Sequence, residues 1–281
     1  MILSNGTLNV TIAQHGAELR SVIKNGIEYM WQADPKFWGR TSPVLFPFVG
    51  ASPNGEYILN GKAYPMPQHG FARDCEFDIV EKGNDYAVFS LKSNEDTLKV
   101  YPYNFTLLIK YTLTDSIVTV EWTVINENDF DMAFSIGAHP AFNFREGMNY
   151  FKFNTDKDIT YFLVNDDGSC NITDKHILKN DGYMPLYDDT FKNDAYIIED
   201  KQVTEVSLCD SNKNEFVKVS FDAPLFGLWN PAKEGVPFVC IEPWYGRVYD
   251  EGFDGDLFDR RYVNILPPHT EFKAQYTMEF M

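Results

Sequence analysis

The strongest constraint this chain places on its own fold is a strict two-residue alternation of apolar and polar side chains. Phe105, Leu107, Ile109, Tyr111 and Leu113 occupy every second position, Thr114-Asp115-Ser116 forms a turn signal, and Val118, Val120, Trp122 and Val124 resume the pattern. Successive side chains of a strand point to opposite faces, so these residues describe a β-hairpin with one apolar face. Towards the C-terminus, Phe272, Ala274, Tyr276, Met278 and Phe280 alternate in the same way against Lys273, Gln275, Thr277 and Glu279. Residues 84–91 and 216–221 read as further strands, and 132–138 and 236–241 as buried ones. Asn25-Gly26 and Asn60-Gly61 separate strand-like runs, and Asn-Gly readily takes the positive φ that both central positions of a type I′ hairpin turn require. No long segment has a 3.6-residue period, and a short helical turn near Glu95–Val100 is the main exception. With no polar linker, low-complexity tract or internal repeat, residues 1–281 are expected to form one large antiparallel all-β domain.

Composition narrows the class of ligand. A chain of 281 residues with 44% hydrophobic and 16% aromatic residues can bury a sizeable core. Its net charge of −17 and pI near 4.6 argue against nucleic acid and anionic membranes as partners, since both reward a basic surface. The same charge counts mildly against a phosphorylated ligand, unless local arginines outweigh it. Cys75, Cys170, Cys209 and Cys240 show neither C-x-x-C nor zinc-ligand spacing and are expected to be buried thiols in a reducing compartment. No apolar run approaches the roughly 18 residues of a membrane span, and Met1-Ile2-Leu3-Ser4-Asn5-Gly6 shows no basic region followed by an apolar one. A cytoplasmic protein is the expectation. The acidic stretch Tyr249-Asp250-Glu251-Gly252-Phe253-Asp254-Gly255-Asp256 lacks EF-hand spacing and reads as a solvated loop.

A few polar residues stand out from this β pattern. His69 follows Pro65-Met66-Pro67-Gln68 and precedes Gly70, so it is either a loop cap or a ligand-facing donor on a stiffened loop. His139 ends the run 132–138 and Pro140 stops the ladder there, a placement that can deliver an imidazole to a sheet surface. Glu242 closes the run 236–241 ahead of Pro243 and Trp244. A carboxyl in such an apolar setting has a raised pKa, as a base poised near neutrality needs, or else pairs with an arginine such as Arg247. Asp194 precedes the strand-like Tyr196-Ile197-Ile198 and is either a hydroxyl acceptor or an Asx-turn residue. Arg40 and Arg73 are candidate donors. There is no G-x-S-x-G elbow, phosphate-binding glycine loop or H-E-x-x-H motif, and His15, His176 and His269 lack partners at ligand spacing.

The stretches Trp38-Gly39-Arg40-Thr41-Ser42-Pro43-Val44-Leu45-Phe46-Pro47, Gln68-His69-Gly70-Phe71-Ala72-Arg73, Ala138-His139-Pro140-Ala141-Phe142-Asn143, Phe191-Lys192-Asn193-Asp194-Ala195 and Ile241-Glu242-Pro243-Trp244 occur in this order. Together they resemble the aldose 1-epimerase (galactose mutarotase) superfamily, in particular its LacX-like branch. The resemblance implies a large two-sheet β-sandwich with a monosaccharide cleft on one sheet. It further implies that His69 and Asp194 orient sugar hydroxyls, that His139 is the general acid and Glu242 the general base, and that no metal or redox cofactor is needed. Val44-Leu45-Phe46-Pro47-Phe48 stands where well-studied mutarotases carry G-R-x-x-N-R, which leaves Arg40 or Arg73 for the arginine role. Three functions are compatible with the resemblance: an epimerase of a free aldose, a sugar-binding or sensing protein with little turnover, and a hexose-6-phosphate 1-epimerase.

Overall fold

The alternating stretches form the centre of a nine-stranded antiparallel sheet in the computed structural model, which describes residues 1–281. Its strands run in the order Met184–Leu186, Asn149–Phe153, Glu205–Cys209, Glu215–Phe221, Glu271–Phe280, Ile117–Asn126, Phe105–Thr114, Tyr86–Lys92 and Asp78–Lys82. Ile109 lies opposite Trp122, and Val120 lies opposite both Tyr111 and Tyr276, so the apolar alternation of three strands merges into one buried face. Each such side chain stabilises the fold by about 1.5–3 kcal/mol when fully buried. Lys110 and Glu121, also opposite each other, pair at 2.9 Å on the solvent face. A one-residue slip would exchange the two faces, and this difference in burial is what sets the register.

Both Asn-Gly pairs form the expected tight turns. Asn25 and Gly26 (φ 53° and 77°) join Leu19–Lys24 to Ile27–Glu28, while Asn60 and Gly61 (φ 51° and 76°) join Glu56–Leu59 to Lys62–Pro65. The expected helical turn is the α-helix Glu95–Val100, started by a capping box between Asn94 and Thr97. No helix is long and apolar enough to cross a membrane. The cysteines are free thiols, with Cys170, Cys209 and Cys240 buried and Cys75 partly so.

The second large sheet, eight-stranded and antiparallel, carries the residues of interest. Its order is His176–Leu178, Ile159–Leu163, Tyr196–Ile198, Leu225–Trp229, Phe238–Tyr245, Ile136–Ala138 and Val44–Leu45, with Ala141–Asn143 also paired to Phe238–Tyr245. One face contributes Phe226, Leu228, Val239, Ile241, Ile136 and Ala138 to the core shared with the nine-stranded sheet. The opposite face carries Ile197, Leu225, Phe238, Cys240 and Trp244 in two smaller apolar clusters. Covering on both faces explains why these strands show buried runs rather than alternation.

Three expectations are corrected. The run 132–138 is two strands, because Ser135 interrupts it: Met132–Phe134 pairs with Asn264–Leu266, and Ile136–Ala138 pairs with Phe238–Tyr245. The run 236–241 does not end at Glu242, since its strand continues through Pro243 to Tyr245. The Ile241 amide donates towards Pro140, and alternate amides of a strand point the same way, so the N–H that Pro243 lacks faces the interruption at His139-Pro140. The acidic stretch 249–256 is anchored rather than simply solvated. Asp250 pairs with Arg247 at 2.7 Å, and Asp256 accepts the Asn60 N–H at 2.6 Å and caps the 3-10 turn Leu257–Asp259.

Candidate active site

Strand register brings His139 and Glu242 together. Gly137 lies opposite Trp244, and Ala141 lies opposite Cys240. The register is therefore the same on both sides of the His139-Pro140 interruption, and two rungs in from either side His139 faces Glu242. Both side chains point away from the shared core, His139 following Gly137 by two residues and Glu242 lying between Cys240 and Trp244 on one strand face. His139 Nε2 is 3.3 Å from Glu242 Oε2, and the two side chains are only 9% and 2% exposed.

Aromatic and histidine rings wall in the pair. Trp38 stacks on the His139 ring at 4.7 Å and 26°, whereas Trp229 and His69 meet it edge-on at 5.4 Å and 5.7 Å. The loop bearing Trp38 and Arg40 is held from below: Trp31 Nε1–H donates to the Trp38 carbonyl at 2.8 Å, and the buried Glu18 carboxylate accepts the Thr41 and Ser42 N–H groups at 2.7 and 2.9 Å. Two surface depressions, of about 300 and 580 Å³, lie around Tyr161 and Tyr196 and around Ser52 and Gln68, and neither is lined by His139 or Glu242.

His69 makes the hydrogen bonds of a loop cap. It has a left-handed backbone (φ 67°), its N–H donates to the Gly50 carbonyl at 2.8 Å, and its Nδ1 accepts the Gly50 N–H at 3.1 Å. An imidazole nitrogen that accepts carries no proton, so neutral His69 holds its proton on Nε2 and can donate from there. The next residue must be glycine, because a Cβ on Gly70 would sit 2.2 Å from the Phe46 carbonyl oxygen. Asp194, also left-handed (φ 68°), accepts the N–H of the next residue, Ala195, at 2.6 Å, which is not the two-residue bond of an Asx turn, and its side chain is exposed. Its charge reaches the pair, where it helps to raise the pKa of Glu242.

Arg40 pairs with Asp74 at 2.8 Å, and Arg73 donates to the Gln68 carbonyl at 2.6 Å while lying 3.8 Å from Asp74. Burial, followed by the Arg40 charge, pulls Arg73 down to about 10. The suggested pairing of Glu242 with Arg247 does not occur, since Arg247 is taken up by Glu199 at 2.9 Å and Asp250 at 2.7 Å.

The electrostatics of the pair follow from its burial. Loss of water pushes Glu242 well above the usual carboxylate range, and Asp194 adds to this. Burial and then Arg73 pull His139 down to about 3, and His69 is lowered by burial and by His139. Both shifts favour an uncharged pair, a neutral imidazole beside a carboxyl that keeps its proton. The protonated His139 expected of a general acid is thus not the resting form of the cleft.

Cys240 and Trp244 were not singled out from the sequence, although each is two residues from Glu242 on a strand. The Trp244 ring lies across two glycines of neighbouring strands, where a Cβ on Gly137 or Gly227 would approach it to 2.7 or 2.5 Å. Its buried Nε1–H has no hydrogen-bond partner, nor does Glu242 Oε2, and the indole N–H opposes the rise in the Glu242 pKa. Trp38 and Trp229 were likewise unassigned as walls. Nothing local marks Trp229, since only register brings it to the pair. Finally, donor atoms of His139, Cys240 and Glu242 all lie within 4.8 Å of one another.

Comparison with known proteins bears on the family and the fold. A family model described as aldose 1-epimerase matches residues 1–252. The chain is 32% identical to the plasmid-encoded protein LacX of Lactococcus lactis subsp. lactis, over 99% of this chain and 98% of that one. Among solved structures, it is similar to a galactose mutarotase related enzyme from Lactobacillus acidophilus (TM-score 0.94, 36% identity, 100% and 97% of the two chains covered). A galactose mutarotase-like protein from Lactobacillus casei has TM-score 0.94 and 28% identity, covering 100% and 99%.

Proposed function

Because the chain belongs to the aldose 1-epimerase family, we propose that it interconverts the α and β anomers of a free aldose by acid–base ring opening. One observation carries this reading: the buried contact of 3.3 Å between His139 Nε2 and Glu242 Oε2, beneath the Trp38 ring. Opening a hemiacetal needs one proton removed from the C1 hydroxyl and one delivered to the ring oxygen. Such a pair can do both without net gain or loss of protons.

The sugar hydroxyls supply the hydrogen bonds that burial denies the carboxylate, and the proton of Glu242 passes to His139. Glu242 then accepts the C1 hydroxyl proton as His139 donates to the ring oxygen. The C1–O5 bond breaks to give the open-chain aldehyde. Rotation about C1–C2 presents the other carbonyl face, and the reversed transfers close the second anomer. His69 Nε2–H and the Asp194 carboxylate hold sugar hydroxyls, and Trp38 supplies an apolar wall. Each positioned proton transfer is worth about 10²–10⁴-fold, sufficient for a reaction that already proceeds in water.

Polarimetry on freshly dissolved glucose, galactose and other aldoses tests the proposal, with the corresponding 6-phosphates run in parallel. The expected result is faster approach to the equilibrium rotation with at least one free aldose. Acceleration confined to the phosphates would select the hexose-6-phosphate reading, with Arg40 and Arg73 as the candidate phosphate donors. Binding without acceleration of any aldose would replace the enzyme with a sugar sensor.

A further inference from the structure

Cys240 has no part in ring opening, yet its thiol shares the buried strand face with Glu242, across from His139. We propose that His139 Nε2, Glu242 Oε2 and Cys240 Sγ form a three-ligand site for a thiophilic divalent cation of the zinc class, and that the bound cation shuts the sugar out of the acid–base pair.

Two observations carry the site. The first is distance. With Zn–N and Zn–O bonds of about 2.0–2.2 Å, the N···O edge of a tetrahedral zinc site spans roughly 3.3–3.5 Å. The observed Nε2···Oε2 separation is 3.3 Å, so the pair needs no rearrangement. Bonds of about 2.3 Å to sulfur set the edges to Sγ near 3.5 Å. A ring nitrogen of His139, a carboxylate oxygen of Glu242 and the thiol lie within 4.8 Å of one another, so closing the last gap to sulfur is the one adjustment the site requires. The second observation is an unmet need: Glu242 Oε2 is buried and has no hydrogen-bond partner. A cation supplies what that oxygen lacks.

The donor set also chooses the metal. One thiolate, one imidazole and one carboxylate suit zinc or cadmium, whereas magnesium and calcium take oxygen ligands. Cys240 binds as the thiolate and its proton passes to the buffer. The fourth position belongs to water, in the space the sugar would need. Exclusion of sugar rests on the proposed function, but coordination does not, so the two can fail separately.

The test titrates the full-length protein, stripped with a chelator, with cadmium ion alone and follows the thiolate-to-metal charge-transfer band in the ultraviolet. The band should saturate at one equivalent and be displaced by zinc. Cys240→Ser and Cys240→Ala, two variants in case one folds poorly, should both lose the band, and zinc affinity should fall by more than about tenfold. Glu242→Gln keeps the thiol and should weaken binding. Zinc should abolish sugar turnover in the parent protein and spare it in Cys240→Ala. Absence of a band at one equivalent, or its survival in both Cys240 variants, would overturn the site. An intact metal site in a protein that turns over no sugar would overturn only the epimerase reading.

Discussion

Two buried polar clusters lie on the outer face of the same sheet, and they are built on opposite principles. Glu199 follows Ile197 by two residues and so shares its outward face. Its carboxylate meets the fully buried Arg247 at 2.9 Å, with Asp250 on the other side of Arg247 at 2.7 Å and Arg261 at 3.8 Å. Two cations thus balance two anions. His139 and Glu242 have no such compensation: Asp194 disfavours the ionised glutamate, Arg73 and Arg40 disfavour the protonated histidine, and Glu242 Oε2 has no donor. Burial with matched counter-charges leaves the partners ionised, whereas burial against the local field leaves the pair uncharged, with its proton on the carboxyl. The second arrangement is the one expected of a catalytic pair.

The contrast can be broken at either end. The largest effect is expected at the uncompensated pair. Glu242→Gln should lower kcat between about 10² and 10⁴-fold with KM little changed, and His139→Asn should be similarly damaging, while both proteins remain folded. Wild-type turnover in Glu242→Gln, measured by polarimetry, would dissolve the distinction. At the compensated cluster, Arg247→Leu strands Glu199 and Asp250 and should cost about 3–5 kcal/mol in urea unfolding. The molecules that remain folded should keep their kcat.

The pH dependence of stability sharpens the comparison. Folding depresses His139 from 6.5 to about 3 and raises Glu242 above 4.5. Between those ordinary values, 4.5 and 6.5, the unfolded pair carries one proton on histidine and the folded pair carries one on the carboxyl. Equal proton counts give no slope. Below this window the unfolded pair gains a second proton, and above it the unfolded pair loses its only one, so the contribution of the pair falls on both sides. Glu242→Gln should replace the plateau by stability that falls as pH drops below 6.5, at up to about 1.4 kcal/mol per pH unit. His139→Asn should tilt it the other way, with stability falling as pH rises above 4.5. Thermal melts across this range would show parallel curves for all three proteins if the pair were not the source.

The smallest effect is expected from Trp244→Phe, which keeps the ring between its glycines and deletes the N–H that opposes the rise in the Glu242 pKa. The loss of about 1 kcal/mol, or roughly fivefold in kcat, should come with a pH–rate profile displaced to higher pH. An unchanged profile would reduce Trp244 to packing alone.

Local signals made the sheets legible. Alternation from Phe105 onwards, the Asn-Gly turns and the capped helix Glu95–Val100 are all settled by residues within a few positions of each other. His139 and Glu242 were also visible, through their glycine and proline neighbours and through the order of the quoted stretches. Pairing was not visible. Whether 132–138 is one strand or two depends on which distant strands accept its halves, and whether a strand survives Pro243 depends on what its missing N–H would have met. The partner of Arg247 and the stacking of Trp38 on His139 are likewise products of register between segments about 50 to 100 residues apart in the chain.

The unbroken register across His139-Pro140 has a consequence for how this chain can vary. Surface connections of a β protein usually tolerate changes in length, because slack there leaves the ladders untouched. Between Gly137 and Ala141, and between Cys240 and Trp244, there is no slack. One residue inserted or deleted in either stretch would turn the imidazole or the carboxyl through the sheet into the apolar core, and the protein would lose its chemistry and its packing together. Homologues that differ freely in loop length should therefore keep these two five-residue spans constant in length, even where the residues within them change.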